Sequence, residues 1–261
     1  MGKYDGMLLC SDFDGTLYWG GGIPENNLRA IAEFEREGGR FTLCTGRKWN
    51  ILQELKLPLT LHTPLICING SMICEPDGEV VFEQDIDGLA LLPTVLSICQ
   101  EWGDRIEEIH VYAPPGESFG RIPPDETERL TDALSRRIYK IVLVCRRDGG
   151  KEADDARGIA LRERCRQLFD LHSYSVVRSW DIGVEILNSQ CTKGKTTRRL
   201  AQRIGAKKLI CVGDFENDID MLREADLAFA VENARDAVKA CADEVLCHAR
   251  DGAIADLISR L

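Results

Sequence analysis

Four short apolar runs, each followed at once by small or polar residues, constrain the fold of this chain more than any other feature. They occupy residues 7–10, 41–44, 65–68 and 209–212. Continuous apolar runs of this length are typical of strands that are buried on both faces of a parallel sheet. Helical patterns lie between the runs, and the one at 27–37 ends at Gly38, as helices commonly do. The alternation predicts a doubly wound, Rossmann-like α/β sheet.

The last third of the chain repeats this alternation. Helical patterns at 195–204, 218–225, 234–240 and 253–259 alternate with strand patterns at 209–212, 227–231 and 244–246. These strands can therefore belong to the same parallel sheet as the first run.

The middle of the chain has a different pattern. After a hairpin predicted at 72–82, helical patterns accompany strand patterns that are bounded by turns and charged loops. This α+β arrangement predicts an inserted domain at residues 85–184, so that residues 1–84 and 185–261 form the core domain. A length of 261 residues is sufficient for two domains.

Composition and charge exclude several classes of protein. The formal net charge of −10 would repel a nucleic-acid backbone or an anionic membrane surface. No apolar run approaches the roughly 18 residues of a membrane-spanning helix, and the first run is too short for a signal peptide. The eleven cysteines include no Cys-x-x-Cys pair, and several lie in predicted strands. We therefore expect reduced, buried thiols in a cytoplasmic protein without nucleic-acid or membrane partners.

Polar residues follow each of the four predicted strands. Asp12 and Asp14 follow the first strand, and segments 45–47, 69–70 and 213–218 follow the others. Taken alone, Asp14 and the glycine after it are also typical of a solvated turn. Ligands of an open parallel sheet, however, bind outside the carboxyl ends of its strands. The four strand ends therefore predict one shared pocket.

Three of these carboxylates predict a metal site. Asp12, Asp214 and Asp218 come from separate segments, and they would repel one another unless a hard divalent cation lay between them. Ligation by oxygen alone, with room for water and phosphate, favours Mg²⁺. Asp218 can also cap the helix that is predicted to follow it. That role does not account for Asp214, which lies outside the helix.

Thr45, Gly46 and Lys193 stand at predicted helix entries. A hydroxyl and exposed backbone N–H groups in such a place suit a phosphate, and a lysine offers a point charge to a phosphate oxygen. Thr-Gly is, however, also a common helix-entry sequence without any ligand. Residues 194–196 resemble part of a P-loop, but Ser189 stands where the pattern requires glycine, so nucleotide cradling is not predicted.

The order of these motifs resembles the haloacid dehalogenase superfamily of phosphatases. The motifs are Asp12-x-Asp14-Gly-Thr, Thr45-Gly-Arg, Lys193 and Gly213-Asp214-x-x-Asn217-Asp218. The inserted α+β domain is similar to the type IIB cap of the Cof-like sugar-phosphatase branch. The resemblance implies a Mg²⁺-dependent phosphomonoester hydrolase that acts on small phosphorylated metabolites, such as sugar phosphates, through an aspartyl-phosphate intermediate.

The resemblance also implies a role for each motif residue. Asp12 attacks phosphorus, and Asp14 protonates the leaving alcohol and then deprotonates the hydrolytic water. The implied metal ligands are Asp12, the backbone carbonyl of Asp14, Asp214 and Asp218. The implied phosphate-binding residues are Thr45, Gly46, Lys193 and Asn217.

Two other functions remain open at this point. A phosphomutase of the phosphomannomutase type shares the same motifs, and it would differ in its dependence on a bisphosphate activator. A sugar-phosphate-binding regulator would keep the pocket without turnover, although the intact Asp12 and Asp14 favour an enzyme. For Arg47, a contact with substrate and a structural salt bridge are equally consistent with the sequence.

Overall fold

The computed structural model describes residues 2–114 and 117–261. The strands are β1 (Met7–Ser11), β2 (Arg40–Leu43), β3 (Leu65–Cys67), β4 (Met72–Cys74), β5 (Val80–Glu83), β6 (Ile106–Tyr112), β7 (Arg121–Ile122), β8 (Lys140–Cys145), β9 (Tyr174–Trp180), β10 (Gly183–Asn188), β11 (Lys208–Gly213), β12 (Leu227–Ala230) and β13 (Glu244–Val245). The helices are α1 (Glu25–Arg36), α2 (Trp49–Glu54), α3 (Gly88–Trp102), α4 (Thr127–Leu134), α5 (Gly150–Leu168), α6 (Lys193–Arg203), α7 (Ile219–Glu224), α8 (Asp236–Lys239) and α9 (Ala253–Arg260).

The chain divides into two compact units. The first unit contains the residues up to Glu83 together with Cys191–Leu261, and the second contains Gln84–Gln190. Residues 185–190, which the sequence analysis assigns to the core domain, belong to the second unit. The reason is that β10 pairs along its length with β8 and β9, which are both strands of that unit.

The first unit contains the predicted parallel sheet. Its strand order is β13-β12-β11-β1-β2, and every neighbouring pair is parallel. Leu8, Leu9 and Ile210 are fully buried in its central strands, as strands covered on both faces require. The predicted doubly wound α/β class is thus confirmed, and the carboxyl ends of these strands lie at one edge.

β3 continues the parallel arrangement beside β2 only through a short stretch. Cys44 and Ile66 form a parallel bridge, and the Thr45 N–H donates to the Ile66 carbonyl at 2.9 Å. On its other side, β3 pairs antiparallel with β4 in a small sheet of order β3-β4-β5, a pairing that the sequence analysis does not predict. The chain reverses after β3 because Ile68, Asn69 and Gly70 all have positive φ angles, of 53°, 54° and 108°. The hairpin of β4 and β5 is present as predicted.

The second unit is an antiparallel sheet covered by helices. Its strand order is β7-β6-β8-β10-β9, and its core includes Ile109, Leu143 and Ile186 from the strands, with Val95 and Leu161 from α3 and α5. This is the α+β pattern that the middle of the sequence predicts. Across residues 2–114 and 117–261, no helix has both the length and the apolar character needed to cross a membrane.

A buried ion pair lies on the sheet of the second unit. Lys140 Nζ donates to Glu185 Oε2 at 2.8 Å, with side-chain exposures of 2% and 1%. The ammonium group also lies 4.2 Å from the centroid of the Tyr112 ring. A charge in such surroundings is stable only while its partner remains.

We expect Lys140→Met to lower the free energy of unfolding by about 3 to 5 kcal/mol, because it removes the ammonium group that pairs with the buried Glu185 carboxylate. The double variant Lys140→Met/Glu185→Leu should recover most of the loss. The control is Arg136→Met at the exposed Arg136–Asp132 pair, which should cost less than about 1 kcal/mol. Urea unfolding measures all three, and a double variant as unstable as Lys140→Met would contradict the account.

Candidate active site

Three carboxylates meet at the carboxyl edge of the parallel sheet. Asp12, Asp214 and Asp218 each offer an oxygen, and these oxygens all lie within 4.8 Å of one another. Asp12 directly follows β1, and its N–H donates to the Val212 carbonyl at 2.9 Å, so the sheet ladder continues up to the cluster. Asp214 directly follows β11. The predicted convergence of separate segments is therefore present.

A buried lysine joins two of these carboxylates. Lys193 Nζ donates to Asp12 Oδ1 at 2.5 Å and to Asp218 Oδ1 at 2.6 Å, and the lysine side chain is 1% exposed. Lys193 is the first residue of α6, where the Thr192 hydroxyl accepts the Lys195 N–H. The start of α6 thereby carries the ammonium group into the carboxylate cluster.

Burial changes the proton affinity of the cluster. It raises the pKa of Asp12 to about 7; the Lys193 charge opposes this rise and the Asp218 charge adds to it. Burial, followed by the charges of Asp12 and Asp218, raises the pKa of Asp214 well above its usual range. Three desolvated carboxylates around one ammonium group therefore favour a further bound cation.

The loop between β11 and α7 positions Asp218. Its Oδ2 accepts the N–H groups of Asp214 and Phe215 at 3.0 and 3.1 Å, so this carboxylate holds the loop that precedes α7. Asp218 stands at the N-cap position of α7, but its side chain makes no capping hydrogen bond there, so the predicted helix cap is wrong. A Cβ at Gly213 would lie 2.5 Å from the Asp218 Cβ, which explains the glycine there. On the other side of the cluster, Thr16 Oγ1 donates to Asp214 Oδ1 at 3.0 Å.

Asp14 lies in a different environment. Its side chain is 51% exposed, and its two oxygens accept from Arg47 Nε and Nη2 at 2.8 and 2.7 Å. The Arg47 guanidinium lies 5.4 Å from the Phe13 ring centroid and 6.0 Å from that of Tyr18, and these two rings are stacked. Of the two roles that the sequence left open for Arg47, this structure shows the salt bridge.

The loops after β2, β3 and β11 meet at Asn69. Its N–H donates to the Thr45 carbonyl at 2.9 Å, and its Oδ1 accepts from Asn217 Nδ2 at 3.3 Å. A Cβ at Gly46 would lie 3.2 Å from the same oxygen. Thr45 is buried, and its hydroxyl accepts the Arg47 N–H at 3.2 Å. The predicted Thr45, Gly46 and Asn217 are thus brought together.

Two residues of this region were missed as site residues by the sequence analysis. Asn69 was noted only as a strand-end residue, although an Asn-Gly pair after a strand commonly marks a positive φ angle. Thr16 belongs to the first motif, but its bond to Asp214 joins two motifs that are 198 residues apart. Local sequence patterns predict neither the hydrogen bond from Thr16 to Asp214 nor the one from Asn217 to Asn69.

Known proteins match most of the length of the chain. The family model of haloacid dehalogenase-like hydrolases matches residues 9–258. The chain is 25% identical to the pyridoxal phosphate phosphatase YbhA of Escherichia coli, covering 96% of this chain and 97% of that protein. It is 24% identical to an HMP-PP phosphatase of Cronobacter sakazakii, covering 85% and 83%.

Solved structures show the same fold. A haloacid dehalogenase-like hydrolase from B. subtilis superposes with a TM-score of 0.77 at 20% identity, covering 97% of this chain and 99% of that one. A subclass IIB sugar phosphatase of the same superfamily superposes with a TM-score of 0.72 at 19% identity, covering 97% and 98%. At these sequence identities, the structural likeness shows that the chain shares the fold of these two proteins.

Gly15 allows a direct test of the packing around Asp214. It has a φ of +89°, and a Cβ there would lie 2.4 Å from Asp214 Oδ2. The matched control is Gly20, which also has a positive φ, of +59°, but whose Cβ would meet nothing within 4 Å. Alanine in either place carries the left-handed backbone cost of roughly 1 to 2 kcal/mol.

We expect Gly15→Ala to lower the free energy of unfolding by at least about 1 kcal/mol more than Gly20→Ala, because the methyl group overpacks the cluster. Urea unfolding of the two variants measures the difference. Equal losses in the free energy of unfolding would show that the close approach of Gly15 to Asp214 does not restrict the side chain at position 15.

Proposed function

This chain belongs to the haloacid dehalogenase-like hydrolase family and is a phosphatase, and we propose that it hydrolyses phosphomonoesters of small metabolites with Mg²⁺. The observation that carries the proposal is the convergence of Asp12, Asp214 and Asp218 around Lys193 at one sheet edge. An arrangement of this kind suits phosphoryl transfer, in which positioning and electrostatic stabilisation supply most of the catalysis.

We assign the covalent chemistry to the first motif. Asp12 attacks phosphorus, an O–P bond to its carboxylate forms, and the bond from phosphorus to the leaving oxygen breaks. Asp14 gives its proton to that oxygen, and it then takes a proton from the water that hydrolyses the aspartyl-phosphate. The contrast in surroundings supports this division, since Asp12 is buried beside Lys193 whereas Asp14 is exposed beside Arg47. Arg47 must release the Asp14 carboxylate before this proton transfer.

The carboxylate cluster fits Mg²⁺. Its donors are hard oxygens, they are desolvated, and the Lys193 ammonium group offsets part of their combined charge. Asp12, Asp214 and Asp218 would hold the ion, together with the backbone carbonyl of Asp14. When bound, the ion supplies positive charge close to the phosphoryl oxygens.

Four residues are proposed to hold the phosphate. Thr45, Gly46 and Asn217 lie on loops that meet at Asn69, and Lys193 stands between Asp12 and Asp218. Because Lys193 is held by two carboxylates, its ammonium group is oriented before a phosphate arrives. Such preorganisation is favourable for the developing charge of phosphoryl transfer.

We propose sugar phosphates as the first substrates to test. The support is the likeness to the subclass IIB sugar phosphatase and the antiparallel sheet of the second unit, which we propose as the inserted cap domain. The named relatives act on pyridoxal phosphate and HMP-PP, so those compounds belong in the same panel. A cytoplasmic location is also proposed, because the eleven cysteines are free thiols and nine of them are buried.

We expect Asp12→Asn to abolish phosphate release from every substrate of a panel of sugar phosphates, polyol phosphates and nucleotides, because the amide is not a nucleophile. The control, Asp243→Asn, removes the same charge from a loop at the opposite edge of the sheet, where Asp243 accepts the Ala228 N–H. Retained turnover in Asp12→Asn would contradict the mechanism. Strict dependence on a bisphosphate activator would instead indicate a mutase.

We expect MgCl₂ to raise the melting temperature of the chelator-treated protein, since a ligand at 100 times its Kd stabilises the folded state by about 2.7 kcal/mol. Asp243→Asn should show the same rise, whereas Asp214→Asn should show little of it. Thermal unfolding with and without MgCl₂ measures the effect. An equal rise in both variants would place the ion outside the carboxylate cluster.

A further inference from the structure

The loop after β12 reaches the active site from a strand end that carries no recognised motif. Asn233 Nδ2 donates to the Gly15 carbonyl at 2.8 Å, and Asn233 Oδ1 accepts the Ala249 N–H at 2.9 Å. Two residues further on, the Arg235 N–H donates to the Asp214 carbonyl at 3.0 Å. This one loop therefore holds the turn after Asp14 and also the backbone of Asp214.

The turn that Asn233 holds has little freedom of its own. The Gly15 N–H donates to the Tyr18 carbonyl at 3.0 Å, and the Thr16 hydroxyl is bonded to Asp214. Gly15 also lies so close to Asp214 that a Cβ would clash with its carboxylate. The hydrogen bond from Asn233 fixes the carbonyl group of Gly15, the residue immediately after Asp14.

We propose that Asn233 is a positioning residue, which acts through Gly15 to direct the Asp14 carboxyl group at the leaving oxygen of the substrate. The inference rests on the proposed function, because it concerns the proton that Asp14 gives to the leaving alcohol. Asn233 itself contacts neither the substrate nor the three clustered carboxylates in this role. It keeps the Gly15 peptide in place, and the direction of the Asp14 side chain follows from that peptide.

The leaving group separates this role from a general effect on folding. An alkyl alcohol leaves poorly without a proton from Asp14, whereas p-nitrophenolate is a stable anion that leaves without one. The value of kcat/KM depends on the steps up to the first irreversible one, which here is formation of the aspartyl-phosphate with release of the leaving group. Asp14 activates water only after that step, so this second role of Asp14 does not affect kcat/KM. A displaced Asp14 should therefore lower kcat/KM for alkyl phosphates much more than for p-nitrophenyl phosphate.

Asn233→Asp is the most informative variant. It replaces the donating amide by an acceptor that faces the Gly15 carbonyl, and it keeps an acceptor for the Ala249 N–H. The matched control is Asn26→Asp. Asn26 Nδ2 donates to the Asp251 carbonyl at 3.0 Å, and its Oδ1 accepts the Asn27 N–H at 3.0 Å, so the same types of bond are changed in α1.

The experiment measures kcat/KM of the full chain with Mg²⁺ for the best alkyl phosphate of the panel and for p-nitrophenyl phosphate. For Asn233→Asp we expect a loss of at least about tenfold with the alkyl phosphate, a size typical of removing an orienting partner. With p-nitrophenyl phosphate the loss should be less than about threefold, because general acid catalysis contributes little to that reaction. Asn26→Asp should change neither value by more than about twofold.

Each other outcome has a definite meaning. Equal losses on both substrates, or no loss on either, would overturn the positioning role and leave the proposed phosphatase function intact. If Asn233→Asp does not fold, Asn233→Ala provides the same comparison without the repulsion at Gly15. If the unaltered protein hydrolyses neither substrate, the proposed function fails, and the inference fails with it.

Discussion

A buried ammonium group between two buried carboxylates is the interaction on which this active site depends. Lys193 joins Asp12, at the end of β1, to Asp218, in the loop before α7. Burying these charges would be strongly unfavourable if any partner were missing, so α6, β1 and the β11 loop must be placed together. One ammonium group does not neutralise Asp214 as well, and the remaining charge makes the cluster suitable for a divalent cation.

The sequence predicts the parts of the site that follow from the parallel sheet itself. Strands that are buried on both faces are recognisable as apolar runs, and their carboxyl ends must meet at one edge. This geometry is sufficient to bring Asp12, Asp214 and Asp218 together before any contact is known. The two partners of Lys193 were not predicted, because the direction of a side chain at a helix start depends on how the helix packs against the sheet.

Other features depend on backbone geometry or on distant partners. β3 bridges in parallel to the end of β2, as its apolar composition predicts, but the positive φ angles at Ile68 and Asn69 also reverse the chain, so that β4 pairs antiparallel with β3. Residues 185–190 look like the start of the core, yet β10 pairs with β8 and β9 of the second unit. The hydrogen bond from Asn233 to Gly15 joins residues that are 218 positions apart. Sequence patterns that extend over a few residues cannot predict a contact between such distant positions.

The central claim is that Asp12 is the nucleophile. Lys193 orients its carboxylate, and Asp14 serves as the acid and the base of the reaction. The most direct test of this claim is to mix Asp14→Asn with p-nitrophenyl phosphate that carries labelled phosphate, to quench with acid, and to locate the label by peptide mass spectrometry. This substrate is chosen because p-nitrophenolate leaves without a proton from Asp14, so the variant can still form the covalent intermediate. The account predicts phosphate bound covalently to Asp12, trapped because the variant lacks the base that activates water. Label on another residue, or phosphate release without any labelled protein in a variant that still turns over, would contradict it.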